Sequence, residues 1–333
     1  MSWSKVLSFT DPFHYQTAVR AADLQFFPTA RGEFRAQLTQ VCLNRLSMER
    51  AHESLPVVCV GAVRPGRKVI GFLTKANPPA IRRCGAEVTG GDIIVTNTDL
   101  MHRRTEAPCD WGSMSLPLDD FDAACSAING RELPRVLAPH LVRPGPGLSS
   151  QLVNMHERLG AIAKTAPDIL ELPEVARALE QRLIYLMIRC LTDGKPSKMT
   201  AGCCRRDRVV ARFEEFLEAH PGRALYLTEI CAAIGIAERT LRVACEEHLG
   251  MGPIRYLTLR RMHLVRRTLL QSDPLKTTVT QVATDHGFWE LGHFSVNYRE
   301  LFGEPPSESL RRPVDVYRET SKRPSLLAET HFA

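Results

Sequence analysis

The sequence predicts an α+β protein in several domains: an antiparallel β-barrel at the N-terminal end, a helical middle segment and an all-α C-terminal half. Three observations carry that prediction. The first is length, because 333 residues exceed what one domain ordinarily holds. The second is a set of short, β-branched apolar runs between positions 34 and 118, with no helical pattern between them. The third is a phrase that occurs twice, Thr228 to Leu241 and Thr280 to Phe294. In each, a small residue (Cys231, Ala283) stands four positions before a glycine (Gly235, Gly287). Two helices that cross closely need a small side chain at the contact and a turn residue tolerant of left-handed backbone. The phrase therefore reads as helix, turn, helix, and it reads so twice.

Composition narrows the class. Apolar residues make up 44% and charged residues 24%, ordinary values for a globular protein. No run of about 18 apolar residues occurs, so no membrane span is expected. Met1 to Phe13 carries Lys5 and Asp11 without a long apolar stretch and does not read as a secretion signal. The ten cysteines are scattered apart from Cys203-Cys204, and none forms a CxxC pair or a Cys/His cluster at zinc spacing. Reduced thiols in a cytoplasmic protein are the expectation. The net charge of +6 is mild, and positions 206 to 312 hold 15 Lys and Arg against 14 Asp and Glu. Bulk charge thus says nothing for nucleic acid, and the placement of individual charges has to.

The N-terminal runs are bounded by turn residues. Phe34, Ala36 and Leu38 alternate with polar neighbours. Leu55 to Val63 and Val69 to Leu73 are bounded by Pro56, Pro65-Gly66 and Asn77-Pro-Pro, and Glu87 to Val95 contains a glycine-aspartate turn feeding a strand. Strands at that spacing build a barrel or sandwich able to hold one ligand. A metal-dependent enzyme of the cupin type would need a His-x-His cluster with a nearby carboxylate, but His52 and His102 stand far apart. No metal site, cofactor or catalytic residue is expected, and no nucleophile elbow or phosphate-cradling loop occurs. Arg82, Arg83, Glu87, His102 and Arg103 are the candidate pocket-lining residues for a small ligand.

A short helix is expected over Asp119 to Ile128, and Pro139 to Gly147 reads as a connector. Leu152, Met155, Leu159 and Ile162, then Val175, Leu179, Leu186 and Cys190, recur at helical spacing and predict two amphipathic helices. Intrachain packing and a two-fold interface with a second copy both suit these stripes. Thr192 to Gly202 reads as a linker.

The C-terminal half begins with a helix over Arg208 to Ala219, stopped by Pro221-Gly222. Thr228 is the expected cap of the next helix. Glu238 to His248 follows the Gly235 turn as a candidate recognition helix, with Leu241 and Ala244 inward and Glu238, Arg239, Thr240, Arg242 and Val243 outward. An exposed arginine there can grip guanine O6 and N7 with two hydrogen bonds. Pro253 opens a helix running to about Gln271, with Leu259, Met262, Val265 and Leu269 buried and Arg260, Arg261, Arg266 and Arg267 on a solvated face. Val279 to His286 and Leu291 to Phe302 make the second pair. Phe294, Tyr298, Leu301 and Phe302 read as core; Glu290, Leu291, Gly292, His293, Ser295, Val296, Asn297 and Arg299 are candidate contacts.

Those residues carry a resemblance. Ile230-Cys-Ala-Ala-Ile-Gly235 to Leu241, then Gly252-Pro253-Ile254 to Arg260, is similar to the AraC/XylS family of bacterial transcription regulators. So is the closing run Gly287-Phe288-Trp-Glu-Leu-Gly-His-Phe294-Ser295 to Pro305. The Phe-Trp-x-Leu-Gly-His-Phe stretch most resembles the subgroup containing ethanolamine-operon regulators. Cys231 departs from the usual alanine and Glu290 from a common serine. The resemblance implies a homodimer that binds double-stranded DNA, senses a small-molecule effector through its N-terminal domain and activates transcription with RNA polymerase. The domain division expected is a cupin-like effector-sensing domain over 1–125 and a helical dimerisation segment over 126–195. A linker over 196–206, a DNA-binding domain over 207–313 and a flexible tail over 314–333 follow. Within the DNA-binding domain the helix-turn-helix units are 228–248 and 279–302. Two alternatives stay open: a barrel enzyme with a regulatory helical half, and a regulator gated by a protein partner or by oxidation at Cys203-Cys204.

Overall fold

The computed structural model describes residues 2–75, 77–96, 101–129, 140–197, 201–220, 225–312 and 318–319, with backbone alone at 140, 197, 201, 203, 204, 318 and 319. The chain opens with β1 (Trp3–Phe9), α1 (Pro12–Ala18), β2 (Ala22–Pro28), β3 (Ala36–Leu43), β4 (Leu46–Glu53), β5 (Val57–Val63) and β6 (Arg67–Leu73). It continues through β7 (Ile81–Arg83), β8 (Ala86–Val88), β9 (Ile93–Thr96), β10 (Met101–Arg104) and β11 (Cys109–Pro117) to α2 (Leu118–Asn129). Then come β12 (His140–Arg143), α3 (Pro146–Thr165), a 3-10 turn at Pro167–Glu171, α4 (Pro173–Asp193) and β13 (Lys195–Ser197). The C-terminal part is α5 (Ala201–Ala219), α6 (Leu227–Ile234), α7 (Glu238–Leu249), α8 (Pro253–Gln271), α9 (Val279–Asp285), α10 (Leu291–Phe302) and α11 (Pro306–Arg311), with β14 (Arg318–Glu319) last.

The expected barrel does not close. Strands divide into a nine-stranded antiparallel sheet, ordered β13-β12-β9-β6-β11-β4-β3-β1-β14, and a five-stranded one, ordered β2-β5-β10-β7-β8. The region expected as a connector supplies β12, which pairs with β9 through Leu141 and Ile94. Pro139 lies outside the described residues. Burial of β12 explains the strand, since Leu141 and Val142 are 7% and 3% exposed and need a partner for their backbone groups. Trp3–Phe9, Pro12–Ala18 and Ala22–Pro28 are elements for which the sequence offered no expectation.

Helices α3 and α4 fulfil the periodicity of the middle segment. Leu152, Leu159, Leu183, Leu186, Met187 and Cys190 pack with Val41, Met48, Ile70 and Met114 of the large sheet. Their apolar stripes are thus satisfied within one chain, each buried leucine contributing roughly 1.5–3 kcal/mol. Residues 201–206, expected as linker, are the first turns of α5. The Pro221-Gly222 stop lies outside the described residues, and α5 ends at Ala219.

The C-terminal half packs against the five-stranded sheet. Phe27 of β2 meets Tyr256 edge-to-face at 6.1 Å and His263 at 5.7 Å, both on α8. The His263 ring reaches the Pro28 carbonyl at 3.0 Å. The arginine face expected to be solvated is largely part of this packing. Arg260 is 6% exposed and bonds Glu214 at 3.1 Å and Glu218 at 2.7 Å. Arg266 is 9% exposed and bonds Glu304 at 2.6 Å, with Asp11 at 3.8 Å. Arg261 lies over Phe288, and Arg267 over Phe13. Of the four, only Arg267 is exposed. Buried guanidinium groups demand fully paired carboxylates, and the partners come from elements distant in sequence.

Candidate nucleic-acid interface

Two helix pairs form the candidate interface, and each turn is made by a glycine in left-handed backbone. Gly235 closes α6 at φ 66°, ψ 35°, and Gly287 follows α9 at φ 79°. At Gly235 space is not the reason, since an added methyl would meet nothing within 4 Å; the positive φ alone demands glycine. Thr228 does not cap α6. The helix begins at Leu227, and the Glu229 carboxylate accepts from the Tyr226 N–H at 3.2 Å in its place. Thr278 caps α9 by accepting from the Gln281 N–H.

Recognition helix α7 buries Leu241, Ala244, Cys245, His248 and Leu249. That leaves Glu238, Arg239, Thr240, Arg242 and Val243 exposed, as spacing predicts, with Val243 46% exposed although apolar. Arg242 and Glu238 pair at 2.7 Å one helical turn apart. Thr228 is exposed at the start of α6. In α10, Phe294 and Tyr298 are buried against Met262, Val265 and Leu269 of α8. Gly292, His293, Ser295, Val296, Asn297 and Arg299 face solvent, as does Glu290 at the N-cap; Leu291 is half-buried. Val296 and Trp289 are 59% and 68% exposed. Trp289 was not among the sequence candidates; its signal is an aromatic residue directly before the second reader. Both readers thus turn a charged or small-residue face outward and an apolar face onto α8.

The five pocket candidates do not form one group. Strand alternation sends Arg103 to one face of β10 and His102 to the other. Arg83 and Arg103 line a cavity of about 90 Å³ between the two sheets, together with Phe26, Phe72, Met101 and Trp111. Arg103 is committed to a buried pair: Glu53 accepts from it at 2.7 and 2.8 Å, and from Tyr15 Oη and Trp111 Nε1. Arg82 and Glu87 sit opposite each other on the β7–β8 hairpin, Glu87 exposed, and neither lines that cavity. A larger polar cleft of about 740 Å³ opens beside β1 and β3, lined by Lys5, Arg20, Gln40, Glu49 and Arg67 among others, none of them sequence candidates.

His102 faces the reading half instead. Its Nε2 lies 2.7 Å from Nδ1 of His248 on α7. Burial pushes both imidazoles down, His102 to about 3 and His248 to about 4, so both are neutral at physiological pH. Cys84 and Asp207 complete this seam. No single stretch of sequence could reveal it, because its members lie on β10, the β7–β8 turn, α5 and α7. The Cys203-Cys204 side chains lie outside the described residues. No helix among the described residues is long and apolar enough to cross a membrane.

Comparison with known proteins agrees with this geometry. A helix-turn-helix domain family matches residues 230–312. The probable thc operon regulatory protein of Rhodococcus erythropolis is 37% identical over 103 residues, 31% of each chain. XylDLEGF operon transcriptional activator 1 of Pseudomonas putida is 27% identical over 227 residues, 67% of this chain and 65% of that one. The activator RhaS of Salmonella schwarzengrund is 27% identical over 158 residues, 47% and 51% of the two chains. The chain therefore spans from under a third to about two thirds of these relatives. The crystal structure of the AraC-like activator CuxR overlays with 15% identity, covering 79% of this chain and 94% of that one at a TM-score of 0.39. That overlay is too loose to define the fold, which rests on the strands and helices themselves. Residues 230–312 thus belong to a helix-turn-helix domain family, and the chain is similar to the transcriptional regulators named here.

Proposed function

We propose that this protein is a sequence-specific DNA-binding transcription regulator, an effector-responsive activator that reads two major-groove faces with α7 and α10. One observation carries the reading: the outward residues of both recognition helices are exposed, while their inward residues are locked onto the same helix, α8. At 19 residues and 1.5 Å per residue, α8 is about 28 Å long. Successive major-groove faces of B-DNA lie about 34 Å apart, so one rigid element carries two readers along one face of a duplex. Arg239 and Arg242 supply bidentate donors to base edges or phosphates; Ser295, Asn297 and Arg299 do so from α10.

The finer assignments belong to the same proposal. Residues 1–125 form the cupin-like effector domain, 126–195 the dimerising segment and 207–313 the DNA-binding domain. The cavity lined by Arg83 and Arg103 holds a small-molecule effector, and RNA polymerase is the partner on DNA, in the cytoplasm. Exposed Ile169, Leu172 and Tyr185, on and beside α4, suit a two-fold contact between copies. The names of the Pseudomonas and Salmonella relatives, both activators, favour activation over repression.

The test begins with DNA selected by the full-length protein from a random library, followed by footprinting of the selected sites. Protection is expected in two neighbouring grooves. Arg239→Ala and Arg242→Ala each weaken binding by about 1–3 kcal/mol where the arginine makes a bidentate base contact. Both variants binding as tightly as the wild type at fixed salt would overturn the assignment.

A further inference from the structure

We propose that Cys84, His102 and Asp207 form a binding site for one divalent transition-metal ion of the zinc class, at the seam between the five-stranded sheet and the DNA-reading helices. One donor atom from each residue, a thiol sulfur, an imidazole nitrogen and a carboxylate oxygen, lies within 4.8 Å of the other two. His102 Nδ1 is 3.7 Å from Asp207 Oδ1. Bonds of about 2.0–2.2 Å to nitrogen and oxygen in a tetrahedral site place such donors roughly 3.3 Å apart, so closure needs only a small movement. Sulfur, nitrogen and oxygen donors together favour zinc over calcium or magnesium, which take oxygen alone.

The surrounding structure holds these donors in place. Cys84 sits in the two-residue turn between β7 and β8 at φ 46°, followed by Gly85 at φ 76°. Left-handed backbone there suits asparagine or glycine, so a cysteine departs from the local preference. The Cys84 N–H donates to the His102 carbonyl at 3.0 Å, which sets the turn residue against His102 of the neighbouring β10. His248 supports the site from α7: with Nε2–H of His102 donated to His248 Nδ1, the Nδ1 lone pair of His102 faces Asp207 and Cys84. His248 is fully buried and its Nε2 has no hydrogen-bond partner among the described residues. The arginines nearby have partners of their own, although the buried Arg83 charge also acts on Cys84 and Asp207. Arg83 reaches Thr96 and Met101, and Arg206 bonds Glu247. On binding, the Cys84 thiol gives its proton to solvent, and thiolate and carboxylate neutralise the two charges of the ion. Asp207 remains 22% exposed and provides the entry, with solvent water as the fourth ligand.

Because Cys84 and His102 belong to the sheet while Asp207 belongs to α5 and His248 to α7, an ion here staples the N-terminal half to the reading half. The experiment uses full-length protein freed of metal by chelator under reducing conditions, titrated with cobalt(II) and then zinc(II). One equivalent of cobalt is expected to give a thiolate-to-cobalt charge-transfer band and the intense visible bands of four-coordination, both removed by zinc. Cys84→Asn keeps the turn conformation and is expected to abolish the charge-transfer band and weaken binding by about 100-fold or more. His248→Gln weakens binding by about 10–100-fold with the band retained. Cys42→Ser changes neither. Circular dichroism of each metal-free variant checks folding, and Cys84→Ser replaces Cys84→Asn should the latter not fold. A cobalt spectrum without the thiolate band, wild-type affinity in the Cys84 variant, or no retention at micromolar metal overturns the proposal. None of these readouts involves DNA, so their failure is separable from failure of the regulatory reading.

Discussion

His263 of α8 donates its ring N–H to the carbonyl of Pro28 at 3.0 Å, joining residues 235 positions apart and fastening the reading half to β2. Burial pushes the His263 imidazole down to about 4, the Pro28 bond opposes the shift, and Arg266 adds to it. The unfolded chain binds a proton at this ring below about pH 6.5, whereas the folded chain does so only near pH 4. Acid therefore favours unfolding: stability is whole above pH 6.5 and falls as pH drops toward 4, by about 1.4 kcal/mol per pH unit for this group. Denaturant unfolding between pH 4 and 7 should show His263→Gln less acid-sensitive than wild type. Parallel pH profiles would rule the assignment out.

Glu53 is fully buried and accepts from Arg103, Tyr15 and Trp111 together. Glu53→Ala strands a guanidinium in the interior and is expected to cost about 3–5 kcal/mol. The midpoint of urea unfolding measures it, and a loss below 1 kcal/mol would mean that water solvates Arg103.

Two glycines with positive φ should respond differently to alanine. At Gly235 only the left-handed conformation resists a side chain, so Gly235→Ala should cost about 1–2 kcal/mol. At Gly61, in β5, a methyl would lie 2.0 Å from the Asp23 carbonyl oxygen of β2. Backbone cannot rotate away as a side chain can, so Gly61→Ala should destabilise by clearly more. Thermal unfolding of the two variants side by side decides the order.

Glu238 neutralises Arg242 across one turn of α7. An exposed pair at that spacing contributes about 0.3–0.5 kcal/mol, so Glu238→Ala should leave stability almost unchanged. It also removes a carboxylate from the face proposed to meet DNA and frees the guanidinium. Tighter binding with a steeper salt dependence is expected in operator titrations at several salt concentrations; weaker binding would show that Glu238 itself reads a base.

The C-terminal half was legible because its signals are local. A glycine at a left-handed position, Pro253 opening α8 and the stripe of Leu259, Met262, Val265 and Leu269 each act within a few residues. The helix limits and outward faces of α7 and α10 follow from them. What stayed hidden depends on distant partners. Arg260 and Arg266 look like solvated helix residues until Glu214, Glu218 and Glu304 come into place. The barrel was misjudged because strand spacing does not say where a sheet ends, and β12 and β13 extend the larger sheet after α2. Cys84, His102 and Asp207 share no spacing at all.

Strand β2 is a partition one residue thick. Ala22, Leu24 and Phe26 face the interior chamber, while Phe27, next in the chain, presses on Tyr256 and His263 from behind. An occupant that wedges Phe26 outward has to carry Phe27 with it, since both rings hang from adjacent peptides. Because both C-terminal helix pairs pack on α8, a displacement of Phe27 would bear on the two of them at once.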